Sequence, residues 1–149
     1  VAPAAKQETL ATSSATIAEG STMFSSPSIG ITFGYPKDWK VTEEKGKITI
    51  VPEEKSTFSI VIEKKKRSSN ISVDDYVKDQ KTSYGQLLQQ GLAKIPNVDI
   101  AYVKVWSQNG ISILEFFLFK ADVVLHVTVG PADSPMMKTF DAIISSISL

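Results

Sequence analysis

The sequence predicts an α+β domain in which helices pack against an antiparallel β-sheet, and three observations support this class. Apolar residues recur at every second position in several segments, as Phe58, Ile60 and Ile62 do, and this is the period of a strand. Asn109-Gly110 separates two such segments and favours a two-residue hairpin, because both residues tolerate positive φ. Elsewhere the apolar residues recur at helical spacing. Consecutive hairpins with helices in two places are typical of α+β folds.

Seven strands are predicted, and the first two flank a proline turn. The strands cover residues 29–33, 39–42, 47–51, 58–62, 98–106, 111–119 and 123–130. In the turn, Pro36 fixes its own φ and keeps Tyr35 extended. We therefore interpret Tyr35, Pro36 and Trp39 as an architectural corner whose two aromatic rings anchor its flanks in the core.

Two helices are predicted, one in the middle of the chain and one at its end. Ser72 can cap the first helix, and Gly91 and Pro96 bracket its end. Its apolar face comprises Val73, Tyr76, Val77, Tyr84, Leu87 and Leu88. Asp133 or Ser134 caps the second helix, and Pro135 fits its first turn. Its buried stripe comprises Met136, Phe140, Ile143, Ile144 and Ile147.

The turn at residues 109–110 fixes how the strands beside it pair. It places Lys104 directly opposite Glu115, and a tight turn at residues 121–122 brings His126 onto the same face. Alternation then gives these three strands one wholly apolar face and one mixed face. The mixed face, called the aromatic face below, carries Tyr102, Lys104, Trp106, Ile113, Glu115, Phe117, His126 and Thr128.

Six residues of the aromatic face are the candidate binding residues, and two interpretations of them stay open. The six are Tyr102, Lys104, Trp106, Glu115, Phe117 and His126. Aromatic side chains with interspersed charge suit recognition. Alternatively, a helix covers the face, and Lys104 and Glu115 form a cross-strand ion pair worth about 0.2–1 kcal/mol. His126 is then hydrogen-bonded and inert, and the pair tolerates joint apolar replacement at little cost.

Composition argues against several kinds of site. The 149 residues include 16 basic and 16 acidic ones, so the chain lacks the broad positive field of a nucleic-acid-binding protein. The absence of cysteine excludes disulfides and thiolate chemistry. His126 is the only histidine and has no G-x-S-x-G context. We therefore predict no enzyme, no catalytic residue and no cofactor; adjacent carboxylates such as Glu43 and Glu44 offer at most a weak calcium or zinc contact.

Residues 1–23 are predicted to form a flexible linker or tail, and residues 24–149 the domain. The first segment is rich in Ala, Ser and Thr and cannot build a core. It resembles the linker that follows a signal or lipid-anchor sequence, and the chain starts at Val1 without an initiator methionine. We therefore expect an upstream targeting segment. No apolar run approaches the ~20 residues of a membrane span.

Residues 28–41, SIGITFGYPKDWKV, resemble the start of PsbP-family domains, the extrinsic proteins of photosystem II and their PsbP-like relatives. In these domains a short strand runs into a Y-P-x-x-W-type turn. The resemblance continues in element order through ISVDDYVKDQ and the three-strand meander to TFDAIISSISL, and covers residues 24–149. It implies an α/β/α sandwich around an antiparallel sheet, in a non-catalytic export-compartment protein that binds or helps assemble larger complexes.

From these observations we expect a monomeric, non-enzymatic extracytoplasmic protein, whether periplasmic, lumenal or lipid-anchored. Its expected partner is a protein, such as a membrane-associated complex. The alternative is a lipoprotein-like domain that binds a small ligand through the aromatic face. Tryptophan quenching by a ligand panel would favour the alternative, since Trp106 would line the pocket.

Overall fold

The computed structural model describes residues 21–68, 70–80 and 84–149. Within these ranges the chain forms nine strands and two helices. The strands are β1 (Ser21–Ser26), β2 (Ile31–Pro36), β3 (Lys40–Glu44), β4 (Lys47–Val51), β5 (Ser59–Lys66), β6 (Gln86–Ala93), β7 (Ile100–Gln108), β8 (Ile111–Lys120) and β9 (Val123–Gly130). The helices are α1 (Val73–Asp79) and α2 (Met137–Ser145). The predicted α+β class is confirmed.

Seven of the strands form one antiparallel sheet, in the order β3-β4-β5-β9-β8-β7-β6, while β1 and β2 pair separately. Helix α2 and the β1–β2 hairpin pack on one face of the large sheet. Helix α1 packs on the other face, against Phe117 and Phe119 of β8. The sheet therefore lies between helices, as in an α/β/α sandwich.

The main core lies between the apolar face of the large sheet, helix α2 and strand β2. It joins residues that are distant in the chain: Phe33 from β2, Ile60 from β5, Phe116 from β8 and Phe140 from α2 are all buried in it. The rings of Phe116 and Phe140 lie 5.6 Å apart. The alternation of apolar residues along each strand produces this layer, because every second side chain points to the same face.

The predicted hairpin register is confirmed. Lys104 of β7 is directly opposite Glu115 of β8, and Phe117 of β8 is directly opposite His126 of β9. The Asn109 backbone has φ of 53°, as a type I′ turn requires. The three strands thus present the apolar face and the aromatic face that the sequence predicted.

The first predicted helix is too long. Ser72 caps α1 as predicted, since its side chain accepts a hydrogen bond from Asp75 N at 3.1 Å, but α1 ends at Asp79. Leu87 and Leu88, which were assigned to its apolar face, lie instead on β6, a strand that pairs with β7. Gly91, which was expected to end the helix, also lies within that strand.

The predicted boundaries shift at both ends of the domain. Helix α2 begins at Met137 rather than near Ser134, and Met136, its N-cap residue, provides no side-chain cap and is 37% exposed rather than buried. The other four residues of the predicted stripe are buried. At the N-terminal side, residues 21–23 of the predicted linker lie in β1, which the sequence analysis did not foresee. The rest of that linker lies outside the described residues.

Candidate functional site: the aromatic face and the β6 edge

All six candidate binding residues lie on three adjacent strands of one sheet face. Tyr102, Lys104 and Trp106 lie on β7, Glu115 and Phe117 on β8, and His126 on β9. Glu115 and Phe117 are 0% exposed, and Lys104, Trp106 and His126 are each 7% exposed. Tyr102 is half-buried. These side chains form an interior cluster rather than an open surface.

The Glu115 carboxylate lies at the centre of this cluster. Its Oε1 accepts a hydrogen bond from Trp106 Nε1 at 3.0 Å, and its Oε2 lies 2.6 Å from His126 Nε2. A buried carboxylate requires such partners, because an unpaired charge in a protein interior is destabilising. The two contacts come from the strands on either side of β8. Glu115 therefore connects β7, β8 and β9 through side chains as well as through backbone pairing.

The His126 ring lies between two carboxylates. Its Nδ1 is 3.9 Å from Glu63 Oε1, on the neighbouring strand β5, where Glu63 is directly opposite His126. The ring also stacks on Phe117, with the two centroids 5.1 Å apart. Three acidic or basic side chains, Glu63, His126 and Glu115, thus follow one another across β5, β9 and β8.

The Lys104 ammonium is directed at the C-terminal end of α1. Its Nζ donates a hydrogen bond to the backbone carbonyl of Val77 at 3.3 Å. The same carbonyl accepts the backbone N–H of Gln80, which caps the helix, at 3.3 Å. The carbonyls in the last turn of a helix carry a partial negative charge, so they favour a cation. Nζ also lies 5.6 Å from the Phe117 ring centroid and 6.0 Å from that of Trp106, within the range of cation–π attraction.

Helix α1 covers the half of the aromatic face around Phe117. Val77 is buried there, and the Tyr76 ring lies edge-on to Phe117 and Phe119, at 6.4 and 5.7 Å between centroids. Burial raises the pKa of the Tyr76 hydroxyl above 10.0. A helix therefore covers this half of the aromatic face, as one of the two interpretations expected.

Tyr84 extends the cover beyond the helix. Its ring lies edge-on to Trp106 at 6.0 Å. Burial raises the pKa of the Tyr84 hydroxyl above 10.0; the hydrogen bond with Thr128 opposes this shift, and the negative charges of Glu115 and Glu63 add to it. The Tyr84 hydroxyl is therefore neutral at ordinary pH.

Two residues of this cluster, Glu63 and Tyr84, were not predicted to lie in it, whereas Val77 was correctly placed on the apolar face of the first helix. The alternation in β5 puts Glu63 and Val61 on one face, but the pairing of β5 with β9 joins segments more than 50 residues apart, and no local signal shows it. Tyr84 was assigned to a helix face because its spacing from Tyr76 and Val77 suits a helix. Among the described residues, no group of three or more His, Asp or Glu side chains is placed to hold a metal ion.

The residues of the proline corner pack against the main core. Trp39 N donates to the Pro36 carbonyl at 2.9 Å, which closes the turn between β2 and β3. The Trp39 ring lies edge-on to Phe58 at 6.0 Å, and the Tyr35 ring lies 6.1 Å from that of Phe33. Both rings thus flank the turn on the core side.

Strand β6 presents a different kind of surface, because it lies at the edge of the large sheet. Among the described residues, β7 is the strand that pairs with it. Its sequence, QLLQQGLA, carries no charge, and Leu88 and Leu92 are 54% and 75% exposed. The opposite edge, β3, reads KVTEE. An uncharged edge strand can accept another strand, whereas charged side chains discourage such pairing.

The solution structure of cyanobacterial PsbP (CyanoP) from Synechocystis sp. PCC 6803 superposes with a TM-score of 0.63, covering 87% of this chain and 92% of that one at 13% identity. The fold is PsbP-like. The resemblance carried by the residues of the proline corner is thereby confirmed at the level of fold.

A second solved structure has a fold similar to that of this chain. A protein from Bacteroides thetaiotaomicron VPI-5482 superposes with a TM-score of 0.58 and 16% identity, over 85% of this chain and 47% of that one. This chain therefore corresponds to about half of the Bacteroides protein. No protein-family model matches the sequence, and no curated protein matches it. At 13% and 16% sequence identity, the similarity to these two solved structures establishes the fold.

The helices give no sign of a membrane-spanning segment. Neither α1 nor α2 has the length and apolar character needed to cross a bilayer, and this holds for the whole of the described ranges.

Proposed function

We propose that this PsbP-like domain is a non-catalytic extracytoplasmic binding protein that binds an extended segment of a protein partner along β6. The observation that carries the proposal is the character of this edge: eight residues, no charge, and two well-exposed leucines. A partner strand added to β6 would extend the seven-stranded sheet by backbone hydrogen bonds, while pockets for its side chains would provide specificity.

The apolar side chains of β6 would supply much of the affinity. Leu88 and Leu92 are exposed in the free domain, and covering one leucine contributes at most about 1.5–3 kcal/mol. The β6–β7 connection forms a groove of about 520 Å³ beside Leu92. Ile95, Pro96 and Ile100 also line this groove. An apolar side chain of the partner fits this groove, because most of its lining residues are apolar.

The aromatic face supports the non-catalytic part of the proposal. Among the described residues, the buried charged or ionisable side chains are Glu115, His126 and Lys104. The contacts given above direct each of them at another protein group. The PsbP-like fold supports an assembly or binding role outside the cytoplasm, since the resemblance implies export-compartment proteins that join larger complexes. We propose that the partner is a subunit of a membrane-associated complex. It binds the domain as a monomer.

Affinity capture with matched variants tests this function. The full chain, Leu92→Lys and Met23→Lys would each be used as bait for the cross-linked envelope fraction of the native cell. Leu92 and Met23 are both exposed strand residues, at 75% and 58%, but Met23 lies on β1. We expect a partner that the wild type and Met23→Lys retain and that Leu92→Lys loses by tenfold or more. Equal recovery by all three baits, or no specific protein, would reject the proposal.

A further inference from the structure

We infer that the domain has a second binding site, a pocket for a neutral and mainly apolar small molecule on the part of the aromatic face that α1 leaves uncovered. The pocket has a volume of about 420 Å³, within the range of roughly 300–1,000 Å³ that is usual for ligand sites. Its lining residues are Thr57, Ser59, Val61, Tyr84, Ile111, Ile113, Thr128, Gly130 and Pro131. The site is separate from β6 and does not depend on the proposed function.

The floor of the pocket is built by the pairing of β5 with β9. Val61 is directly opposite Thr128, and Ser59 is directly opposite Gly130. A Cβ atom at Gly130 would lie 3.3 Å from Cγ1 of Ile113, so the glycine lets the Ile113 side chain lie close to the floor. Larger side chains at this end of β9 would displace Ile113.

Tyr84 forms the side of the pocket nearest to the buried cluster. Its ring lies against Trp106 at 6.0 Å, so the Tyr84 side chain occupies a fixed position beside a buried residue. Its hydroxyl and that of Thr128 are hydrogen-bond partners. Both hydroxyl groups line the pocket, so an oxygen or nitrogen atom of a ligand can form hydrogen bonds with them.

The chemistry of the lining specifies the class of ligand. Five lining residues are apolar or glycine, four carry hydroxyl groups, and none is charged. A charged ligand would lose hydration on entering and would meet no opposite charge in the lining, which makes its transfer unfavourable. Ile111 is 51% exposed, so a ligand would also remove apolar surface from water. The favoured ligand is thus uncharged, with an apolar body and one or two hydrogen-bonding groups.

Two matched fluorescent probes test the charge selectivity. N-phenyl-1-naphthylamine is neutral, and 1-anilinonaphthalene-8-sulfonate has a closely similar ring system with one negative charge. With the full chain, we expect saturable binding of the neutral probe and at least tenfold weaker binding of the sulfonate. No saturable binding of the neutral probe, or equal binding of both, would overturn the inference.

Variants and methyl NMR then locate the bound probe. Ser59→Leu fills the pocket from β5, and Ile111→Lys puts a charge at an exposed position of its lining; each is expected to weaken the binding of N-phenyl-1-naphthylamine by tenfold or more. Leu92→Lys, the β6 variant, is the control and should bind as the wild type does. Methyl resonances of Val61, Ile111 and Ile113 should shift on titration. Shifts confined to Leu92 and Ile100, or full binding by both pocket variants, would overturn the assignment.

Discussion

The buried Glu115 carboxylate joins the polar side chains of the aromatic face. It receives the Trp106 indole N–H on one oxygen and contacts His126 on the other, so its burial is accompanied by two polar contacts from neighbouring strands. The sequence placed Lys104 and Glu115 side by side, and this is correct. It did not show that the buried ammonium is bonded to a helix carbonyl, because the position of α1 depends on tertiary packing.

Removing the Glu115 carboxylate should therefore destabilise the domain strongly. Glu115→Ala leaves the buried Trp106 N–H without its acceptor and His126 without its nearest partner, and each orphaned polar group costs about 1–3 kcal/mol. For the two groups together, the loss should be about 2–6 kcal/mol in the free energy of unfolding by urea. Glu115→Gln keeps an acceptor for Trp106 and should lose less.

Glu54→Gln is the control for this experiment. Glu54 is exposed, and its ion pair with Lys40 is also exposed, so its removal should leave the urea midpoint unchanged. By the same reasoning, joint apolar replacement of Lys104 and Glu115 is no longer expected to be tolerated, because it orphans Trp106. A double variant as stable as the wild type would refute this account of the cluster.

Tyr84 gives the protein a predictable dependence on alkaline pH. Its pKa is raised above the ordinary value of 10.0, chiefly by burial, so the unfolded chain releases this proton at a lower pH than the folded protein does. Tyr84 therefore contributes a stability that is complete below the unfolded-state pKa and is lost as pH rises through the folded-state pKa. When the pH is raised from about 8 to about 11, the free energy of unfolding should fall less for Tyr84→Phe than for the wild type. Equal losses in urea titrations would contradict this assignment.

At the scale of elements, the sequence predicts well what is local and poorly what is decided at a distance. The Asn109-Gly110 hairpin sets its own register, and the prediction there is right to the residue. Leu87 and Leu88 suit either a helix or a strand in isolation, and pairing with β7 makes them part of β6. The members of the candidate cluster on the β7–β8–β9 meander were predicted. Glu63 and Tyr84 were not, because they lie on segments outside this meander.

Gly85 gives a test of the β6 assignment. It has φ of +98°, and a Cβ atom there would lie 2.2 Å from the carbonyl oxygen of Ser107 in β7. Gly85→Ala should therefore strain the backbone, displace β6 from β7, and lower the free energy of unfolding by at least about 2 kcal/mol. Hydrogen exchange should show faster exchange in β6 than in β8.

Gly91, which lies within β6, provides the matched control for Gly85, the residue immediately before that strand. A Cβ atom there meets nothing within 4 Å, so Gly91→Ala should be neutral or stabilise the protein by up to about 1 kcal/mol. If residues 72–91 were one helix, alanine would be favourable at both positions. A stabilised Gly85→Ala variant would thus contradict the strand.

At the scale of the whole molecule, the small β1–β2 sheet completes the main core. Phe33 of β2 is buried between the large sheet and α2, and the Phe24 ring of β1 lies 5.2 Å from it. The end of β1 is also tied to the large sheet, because Ser26 Oγ donates to Glu43 Oε2 of β3 at 2.8 Å. The main core therefore depends on a hairpin that begins before the predicted start of the domain at residue 24.

Two truncated chains should distinguish the role of β1 from that of the preceding segment. Residues 1–20 include one valine, one leucine and one isoleucine as their larger apolar residues, so a chain that starts at residue 21 should unfold in urea within about 0.5 kcal/mol of the full chain. A chain that starts at residue 28 lacks β1 and uncovers Phe33, with a loss comparable to that of a large core truncation, about 3–5 kcal/mol. If both truncated chains are as stable as the full chain, β1 contributes nothing to the stability of the core. If both lose the same free energy of unfolding, residues 1–20 account for that loss. The expected result is a loss for the shorter chain alone, because Phe24 and Ser26 make the contacts that join β1 to the rest of the fold.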